Sequence, residues 1–296
     1  MTPRRSPGFT LPELLIALAC AGLLFAVAAS IALRQQRQSA ELADDAATTG
    51  RLREVMATLP IDLRGVSPAA GDIREARDTA LEVRATIGSA VVCDTAGRSL
   101  ILGPVLPGAE TFAAYVTTVA ASDTAWLLDT GDTTERWIPR RITSVSSTVT
   151  SRCAKGAPIV SNAPFVATSL ALDTLAPGRA GTVLRVTRPV RYSLYRSSDG
   201  SWQLGARDWN TTTFRLNTIQ PVVGPLLPPS GRGLLFSYYD SGGSTVAQGS
   251  DSAAGVALIR IDAHAQAKRL ARVLGARGDP HRTDSLDVSV FLHNRR

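Results

Sequence analysis

Gly8-Phe9-Thr10-Leu11-Pro12-Glu13, with the apolar run from Leu14 to Leu33 behind it, is the stretch that decides the fold of this chain. The run holds 20 residues without a charge, and a helix of that length spans about 30 Å, the thickness of a bilayer core. Arg4 and Arg5 precede it, and Glu13 stands at its start. A carboxylate inside a bilayer costs roughly 2.5–3.5 kcal/mol unless a partner offsets that cost. The stretch therefore predicts a membrane-crossing helix whose carboxylate needs a cationic partner.

This order of residues resembles the class III signal of type IV pilins and type II secretion pseudopilins. In that family a short basic leader ends in Gly, the mature chain begins with Phe, and its fifth residue is Glu. The resemblance implies that prepilin peptidase cuts between Gly8 and Phe9 and methylates the new amino terminus, giving N-methylphenylalanine. It also implies that the Phe9 ammonium of one subunit pairs with Glu13 of its neighbour and sets the filament register. Pro12 departs from the usual aliphatic residue, but a proline in the first helical turn removes no intrahelical hydrogen bond.

An ordinary secretory signal or a plain anchor are the alternative interpretations. Ala-x-Ala cleavage sites occur at Ala17–Ala19 and Ala26–Ala28. Against a cleaved signal, Glu13 would interrupt its apolar core, and the run exceeds the usual length of about 7–15 residues. A plain anchor explains the length but not the Gly-Phe-Thr-Leu order.

The helix is expected to continue beyond the apolar run, because residues 35–59 contain no proline and one glycine. Pro60 cannot continue the hydrogen-bond ladder and predicts a break or kink. The expected divisions are a leader at residues 1–8, a membrane and filament-core helix at 9–33, an amphipathic continuation at 34–60, and an exported β-rich domain at 61–296. Helical spacing places one apolar stripe on the continuation, formed by Leu42, Ala46, Leu52, Met56, Leu59 and Leu63.

The C-terminal third predicts strands most clearly. Leu184 to Leu194 alternates apolar and polar residues, as a half-buried strand does. Pro189 within it predicts an edge strand or a bulge, and Ser198-Asp199-Gly200 predicts a hairpin turn. Asp78 to Ile87 suits a helix or a strand, and Thr111–Val119 and Thr124–Leu128 are equally open. The further predicted strands are Leu81–Ile87, Val91–Val92, Arg141–Thr150, Leu234–Tyr239, Val256–Ile261 and Leu286–Leu292, and the predicted loops are Ala154–Pro164, Ser241–Gly255 and Ala271–Thr283.

The fold class expected is α+β, a long N-terminal helix packed on a mainly antiparallel sheet. The order of the C-terminal segments resembles the minor pilin subfamily called PilW, or the J pseudopilin in secretion systems. The segments that carry this resemblance are Arg191–Tyr195, the Trp202 return strand, Gly233–Tyr239, Val256–Ile261 and the terminal strand ending in His293–Arg296.

Three cysteines are present. Cys20 lies in the apolar run and is interpreted as a small buried apolar residue. Cys93 and Cys153 fall in the exported part, where an oxidising periplasm permits a disulfide worth about 4 kcal/mol in the chain-entropy model. Two free buried thiols are the alternative.

Residues with catalytic spacing are scarce, so no enzyme, cofactor or metal site is predicted. The histidines, His264, His281 and His293, show no ligand spacing. The net charge falls from +7 to +5 when the two leader arginines leave, and without a basic run no nucleic-acid binding is predicted. The acidic residues Asp123, Asp129, Asp132 and Glu135 lack EF-hand spacing and are interpreted as a solvated loop rather than a Ca²⁺ site. Core or sheet packing is expected for the tryptophans, Trp126, Trp137, Trp202 and Trp209.

The function expected is a non-catalytic minor type IV pilin that primes or caps pilus assembly, with the resemblance implying adhesion, motility or DNA uptake. A type II secretion pseudopilin is the first alternative, and a membrane-anchored periplasmic binding module or enzyme is the second. The implied partners are major and minor pilins, prepilin peptidase, and the inner membrane with its assembly platform. The precursor would cross the inner membrane once with a periplasmic C-terminal domain and later enter the pilus or pseudopilus. Arginines flank both ends of the run, so charge alone does not set this orientation.

Overall fold

A computed structural model of the chain describes residues 11–103, 113–129, 136–150, 153, 165–175, 178–249, 253–266 and 283–292. The described residues fall into two compact units, one comprising the N-terminal helix up to Gly50 and the other comprising residues from Arg51 onward, including 284–292. The chain has one long helix followed by antiparallel strands. The predicted α+β class is confirmed.

Helix α1 runs from Leu11 to Leu63, 53 residues without interruption. Leu52, Leu59 and Leu63 of the predicted stripe are buried, and Met56 packs against them. The stripe does not extend backwards, since Leu42 is 69% exposed and Ala46 is exposed as well.

Pro60 does not end α1. The helix continues three residues further, to Leu63, and the Arg64 N–H still donates to the Pro60 carbonyl at 3.1 Å. A proline removes one donor and leaves its own carbonyl available, so the last turn can close behind it.

Fourteen strands follow in the described residues. They are β1 (Ile73–Ala76), β2 (Ala80–Ala96), β3 (Ser99–Leu102), β4 (Ala113–Tyr115), β5 (Thr124–Asp129), β6 (Arg136–Thr150), β7 (Phe165–Leu172), β8 (Val183–Arg196), β9 (Trp202–Asn210), β10 (Arg215–Leu216), β11 (Gln220–Leu226), β12 (Leu234–Tyr239), β13 (Leu258–Gln266) and β14 (Thr283–Phe291). Short 3₁₀ helices cover Pro229–Gly231 and Ala253–Gly255.

Six of the strands form a closed ring in the order β2-β3-β7-β6-β5-β8, because β8 pairs with β2 again. The ring closes because the longest strands change partners. β2 pairs with β8 along its first part and with β3 at its end, and β6 passes from β5 to β7. Apolar side chains fill the ring, among them Leu100, Leu127, Ile142, Leu170 and Leu184.

A second core lies beside the ring. The C-terminal turns of α1 pack there against the first part of β2, the second part of β8, β9, β11 and the separate sheet β12-β13-β14. Leu59, Leu81, Leu204 and Ile261 are fully buried in it. From Leu52 onward α1 thus buries the predicted stripe against strands, whereas the earlier stripe positions Leu42 and Ala46 are exposed.

Strand β8 differs from its prediction. It is buried on both faces over its first half, where Arg185 and Thr187 are buried although the alternation predicts that they face solvent. It is also central rather than an edge strand. At Pro189, however, β2 alone among the described strands flanks it, since β5 pairs as far as Thr187 and β9 begins pairing at Val190. The proline therefore occupies a local gap in the pairing.

The other predicted strands agree with the structure to different degrees. The hairpin at Ser198–Gly200 joins β8 to β9, with Gly200 at a φ of +84°. Leu81–Ile87 and Val91–Val92 belong to the single strand β2, which begins at Ala80, so the stretch Asp78–Ile87 is strand from Ala80 onward and not helix. Leu234–Tyr239 coincides with β12. Thr124–Leu128 lies in strand β5, and of the described part of Thr111–Val119, residues 113–119, Ala113–Tyr115 is strand. The predicted loop Ala154–Pro164, nearly all of Ala271–Thr283, and residues 293–296 lie outside the described residues.

Candidate assembly site

The first half of α1 is apolar and exposed. Within the described part of the chain, α1 is the one helix long and apolar enough to cross a membrane, and none of its most apolar 18-residue window is buried. Leu11, Leu24 and Phe25 are each more than 70% exposed. So much apolar surface on one helix needs a bilayer or other helices to cover it.

Glu13 lies in the first turn of α1. A carboxylate is favoured at that end of a helix, because the unpaired backbone N–H groups carry partial positive charge. Gly8 and Phe9, the predicted cleavage pair, lie outside the described residues. The roles of Gly8, Phe9 and Glu13 therefore stay predictions.

Polar contacts hold the other end of α1 in the β domain. The Tyr192 hydroxyl on β8 donates to the Asp62 carboxylate in the last turn. Burial and the neighbouring Asp62 charge raise the pKa of Tyr192, so the phenol keeps the proton it donates. Arg51 reaches the carbonyl of Pro225 on β11 at 3.4 Å.

A buried ion pair fixes the segment that follows the helix. Nη1 of Arg185 on β8 donates to Oδ2 of Asp72 at 2.7 Å and to the Gly65 carbonyl at 3.2 Å. The same Asp72 oxygen accepts the Ser67 N–H at 2.8 Å. Asp72 is fully buried and the Arg185 side chain is 9% exposed. The pair joins the loop between α1 and β1 to the ring of strands.

Two tryptophans cover the Arg185 guanidinium. Its carbon lies 5.0 Å from the Trp126 ring centroid and 5.4 Å from that of Trp137, both within cation–π range. Trp126 is itself held by a 2.9 Å hydrogen bond from Nε1 to the Thr187 hydroxyl. Burial raises the pKa of Asp72 above its usual 3.8, although the positive charge of Arg185 acts in the opposite direction. Beyond the packing role expected for Trp126 and Trp137, no pattern in the sequence predicts this cluster.

Asp123 does not belong to a solvated acidic loop. It is fully buried, and both carboxylate oxygens accept hydrogen bonds at 2.8 Å from Arg188 on β8. Oδ2 also accepts the Ala120 N–H at 2.8 Å. A buried carboxylate needs such a partner. The prediction of a solvated loop residue was wrong for Asp123, because its partner Arg188 lies far away in the sequence. Asp129 pairs with Arg136 at 3.4 Å, while Asp132 and Glu135 lie outside the described residues.

Cys93 and Cys153 are joined by a disulfide, with their Cα atoms 4.6 Å apart. Cys93 on β2 is fully buried beside Phe165 and Ala167 of β7. The bond closes a separation of 60 residues, so it ties β2 to the chain beyond β6. Cys20 is free and exposed in the apolar half of α1, rather than buried.

Among the described residues no group of three His, Cys, Asp or Glu side chains could hold a metal ion. His264 lies on β13, and His281 and His293 lie outside the described residues. Trp209 donates to the Ser122 hydroxyl at 2.9 Å, a sheet-to-loop contact of the packing kind expected for the tryptophans.

Comparison with known proteins gives one match. Residues 3–29 match the family described as the prokaryotic N-terminal methylation motif. No curated protein and no solved structure matches the chain. The motif coincides with the class III signal and the exposed apolar half of α1, and together they support a membrane-anchored, pilus-associated protein of the type IV pilin or pseudopilin kind, a structural filament subunit.

Proposed function

We propose that this chain is a minor type IV pilin, a non-catalytic subunit that primes or caps pilus assembly. The observation that carries the proposal is the exposed apolar half of α1, most of which lies within a methylation motif and which has Glu13 in its first turn. In the proposed precursor, residues 1–8 form the leader, 9–33 cross the inner membrane, 34–60 continue the helix, and 61–296 form the periplasmic domain. Prepilin peptidase then cuts between Gly8 and Phe9.

Assembly works by helix packing. Helices in an apolar bundle approach closely where side chains are small, and α1 carries Ala17, Ala21 and Gly22 in its exposed half. Apart from Gly22, its two neighbours and the adjacent helix backbone, no described atom lies within 4 Å of the position a Cβ would take at Gly22, so that face has room for a neighbouring helix. In this account the Phe9 ammonium of an adjacent subunit pairs with Glu13, which offsets the cost of two charges in an apolar bundle.

The β domain would contact other minor subunits near the filament tip, the place implied by the resemblance to PilW-type subunits. This domain is large, since its described residues run from Arg51 to Leu292. A domain of that size suits a subunit that exposes a contact surface at the tip rather than one that repeats along the filament. A pseudopilin of the J type shares the same N-terminal motif. Deleting the gene distinguishes the two, because loss of surface pili supports a pilin and loss of enzyme secretion supports a pseudopilin.

N-terminal mass spectrometry of the mature protein tests the processing step. The expected first residue is N-methylated Phe9, and an intact Met1 or a cut at another bond would overturn the proposal.

The Glu13→Ala variant tests the register. It should be processed normally, yet its incorporation into filaments should fall about tenfold or more, since a buried ammonium without its partner costs roughly 3–5 kcal/mol. Glu54→Ala, an exposed glutamate further along α1, is the matched control and should assemble as the unmodified protein does. Unimpaired incorporation of Glu13→Ala, scored by immunogold labelling of sheared pili, contradicts the pairing.

A further inference from the structure

Among the described strands and loops, β6 is paired on only one side over its second half. It pairs with β5 over Arg136–Arg141 and with β7 over Ile142–Thr150. On the β5 side the last hydrogen bonds are those between Ile142 and the loop before β5. The Ser122 N–H donates to the Ile142 carbonyl, and the Ile142 N–H donates to the Asp123 carbonyl, each at 2.8 Å. Past Ile142, none of the described backbone groups pairs with β6 on that side. Alternate residues of a strand direct their N–H and C=O groups to each side, so this part of β6 is an open edge.

A slot of about 520 Å³ lies along this edge. The segment Tyr115–Val119 forms one wall, and Val145–Ser147 of β6 forms the other, with Thr168 of β7 beside it. Tyr115 and Val145 also pack against the ring core, so this part of the slot's lining is apolar and continuous with that core. The volume falls in the range of sites that hold ligands.

Tyr115 lines this slot, and its hydroxyl has no hydrogen-bond partner among the described residues. The hydroxyl oxygen is buried. Burial raises the pKa of Tyr115 to about 12, so the phenol is neutral and available as a donor. Gly88 of β2 is the register partner of Tyr115 on β4, and a Cβ at Gly88 would collide with the Tyr115 ring. The ring is therefore held flat against β2 with its hydroxyl in place.

The chemistry of the lining is neutral. Hydroxyl and valine side chains make up the rest of the described walls, and no charged side chain is among these described residues. At the rim, Val116 is 90% exposed. A phosphate or a nucleic acid would find no cation here, and a charged peptide side chain would lose its hydration without gaining a partner.

We propose that this slot binds an extended, uncharged segment of another polypeptide, added as a strand along the open edge of β6. Main-chain hydrogen bonds to β6 would supply the binding, as in other β-strand additions, and the neutral lining would select small or β-branched side chains. The Tyr115 hydroxyl would donate to a carbonyl of the incoming segment. This contact belongs to the β domain and goes beyond assembly through α1.

The test uses full-length protein in detergent micelles and a defined probe, an N-acetylated and C-amidated Thr-Val-Thr-Val-Thr-Val peptide carrying a fluorophore. Fluorescence anisotropy measures its affinity, and hydrogen–deuterium exchange with mass spectrometry follows the protein fragment over residues 143–150. The same peptide with every backbone amide N-methylated is the control probe. The unmodified peptide should bind and slow exchange in the 143–150 fragment, and the methylated peptide should do neither.

Two variants locate the site. Ser147→Tyr fills the slot and should weaken binding about tenfold or more, while Ser144→Tyr, on the same strand but outside the slot, should bind as the unmodified protein does. If Ser147→Tyr does not fold, Tyr115→Phe decides, with an expected loss of roughly three- to tenfold for one hydrogen bond. Absence of binding at millimolar peptide, equal binding of the methylated peptide, unchanged exchange at residues 143–150, or unchanged affinity of Tyr115→Phe would overturn the proposal.

Discussion

Replacing Arg185 with methionine should lower the free energy of unfolding of the β domain by about 3–5 kcal/mol, the cost of leaving one member of a buried ion pair alone. Methionine keeps much of the apolar stem and its contact with Trp126 and Trp137. What it removes is the charge that Asp72 needs, and Asp72 is fully buried. The Ser67 N–H would remain as a hydrogen bond to that carboxylate, so a loss near the lower end of the range is expected.

The effect should depend on pH in a definite direction. Burial raises the pKa of Asp72 in the folded state above 3.8, and Arg185 partly opposes this rise. Without Arg185 the folded pKa rises further, so the folded variant binds a proton more readily than the unfolded chain does. Acidification therefore favours folding of the variant. The deficit relative to the unmodified protein should be largest at pH 7 and shrink as the pH falls through the raised pKa towards 3.8.

Urea unfolding of the full-length protein in detergent, followed by tryptophan fluorescence, measures this deficit. All four tryptophans lie in the β domain, and urea does not screen charge as a salt would. Arg141→Met, an exposed arginine on neighbouring β6, is the matched control and should change stability by no more than about 0.5 kcal/mol. The double variant Arg185→Met with Asp72→Asn should regain much of the loss and show no pH dependence from this site.

The expected recovery in the double variant has a structural reason. Oδ1 of Asp72 and both Nε and Nη2 of Arg185 are buried without a hydrogen-bond partner among the described residues. An ion pair that leaves polar atoms without hydrogen bonds offsets little of its own desolvation cost. Removing both charges should therefore lower the free energy of unfolding less than removing one. A deficit below about 1 kcal/mol for Arg185→Met, or one that grows on acidification, would refute this account of the pair.

Three further substitutions test the rest of the domain in the same unfolding assay. Leu59→Ala should cost about 2–5 kcal/mol, because it empties a fully buried position between α1 and the sheet; a cost under about 1 kcal/mol would place α1 outside that core. Cys93→Ser should lower the free energy of unfolding by about 4 kcal/mol, because it removes the bond that closes a separation of 60 residues. Non-reducing mass spectrometry that finds free thiols at Cys93 and Cys153 in the exported protein would contradict the bond. Asp123→Ala should cost about 3–5 kcal/mol by stranding the Arg188 guanidinium, whereas a solvated loop carboxylate would cost almost nothing.

Local patterns in the sequence predicted the parts of the fold that depend on local physics. The stripe from Leu52 to Leu63 follows from the period of a helix, and β12 coincides with the predicted strand Leu234–Tyr239. The first half of α1 follows from its length and lack of charge. Each of these features is decided within a few turns or residues of chain, so no knowledge of distant partners was needed.

Features that depend on distant partners were missed. Strand β11 contains Pro221 and Pro225, which argue against a strand, yet it pairs with β9 alone among the described strands and so tolerates missing donors. Arg185 looked solvent-facing because its partner, Asp72, lies 113 residues away. The closed ring depends on β8 meeting both β2 and β5, a pairing that alternation along one strand does not encode.

One arginine divides a face of β8 between the two cores of the domain. Leu184 and Val186 lie in the ring core, and Val190 and Tyr192 lie in the second core, which holds the end of α1. Arg188 occupies the position between these two pairs on the same face of the strand. Strand β2 passes between the same two cores at its bulge opposite this point. A charge here would be costly alone, but the loop carboxylate that binds Arg188 neutralises it with two hydrogen bonds. A polar pair thus separates two apolar clusters that share two continuous strands, and the domain buries far more apolar surface than the stripe of a single helix could cover.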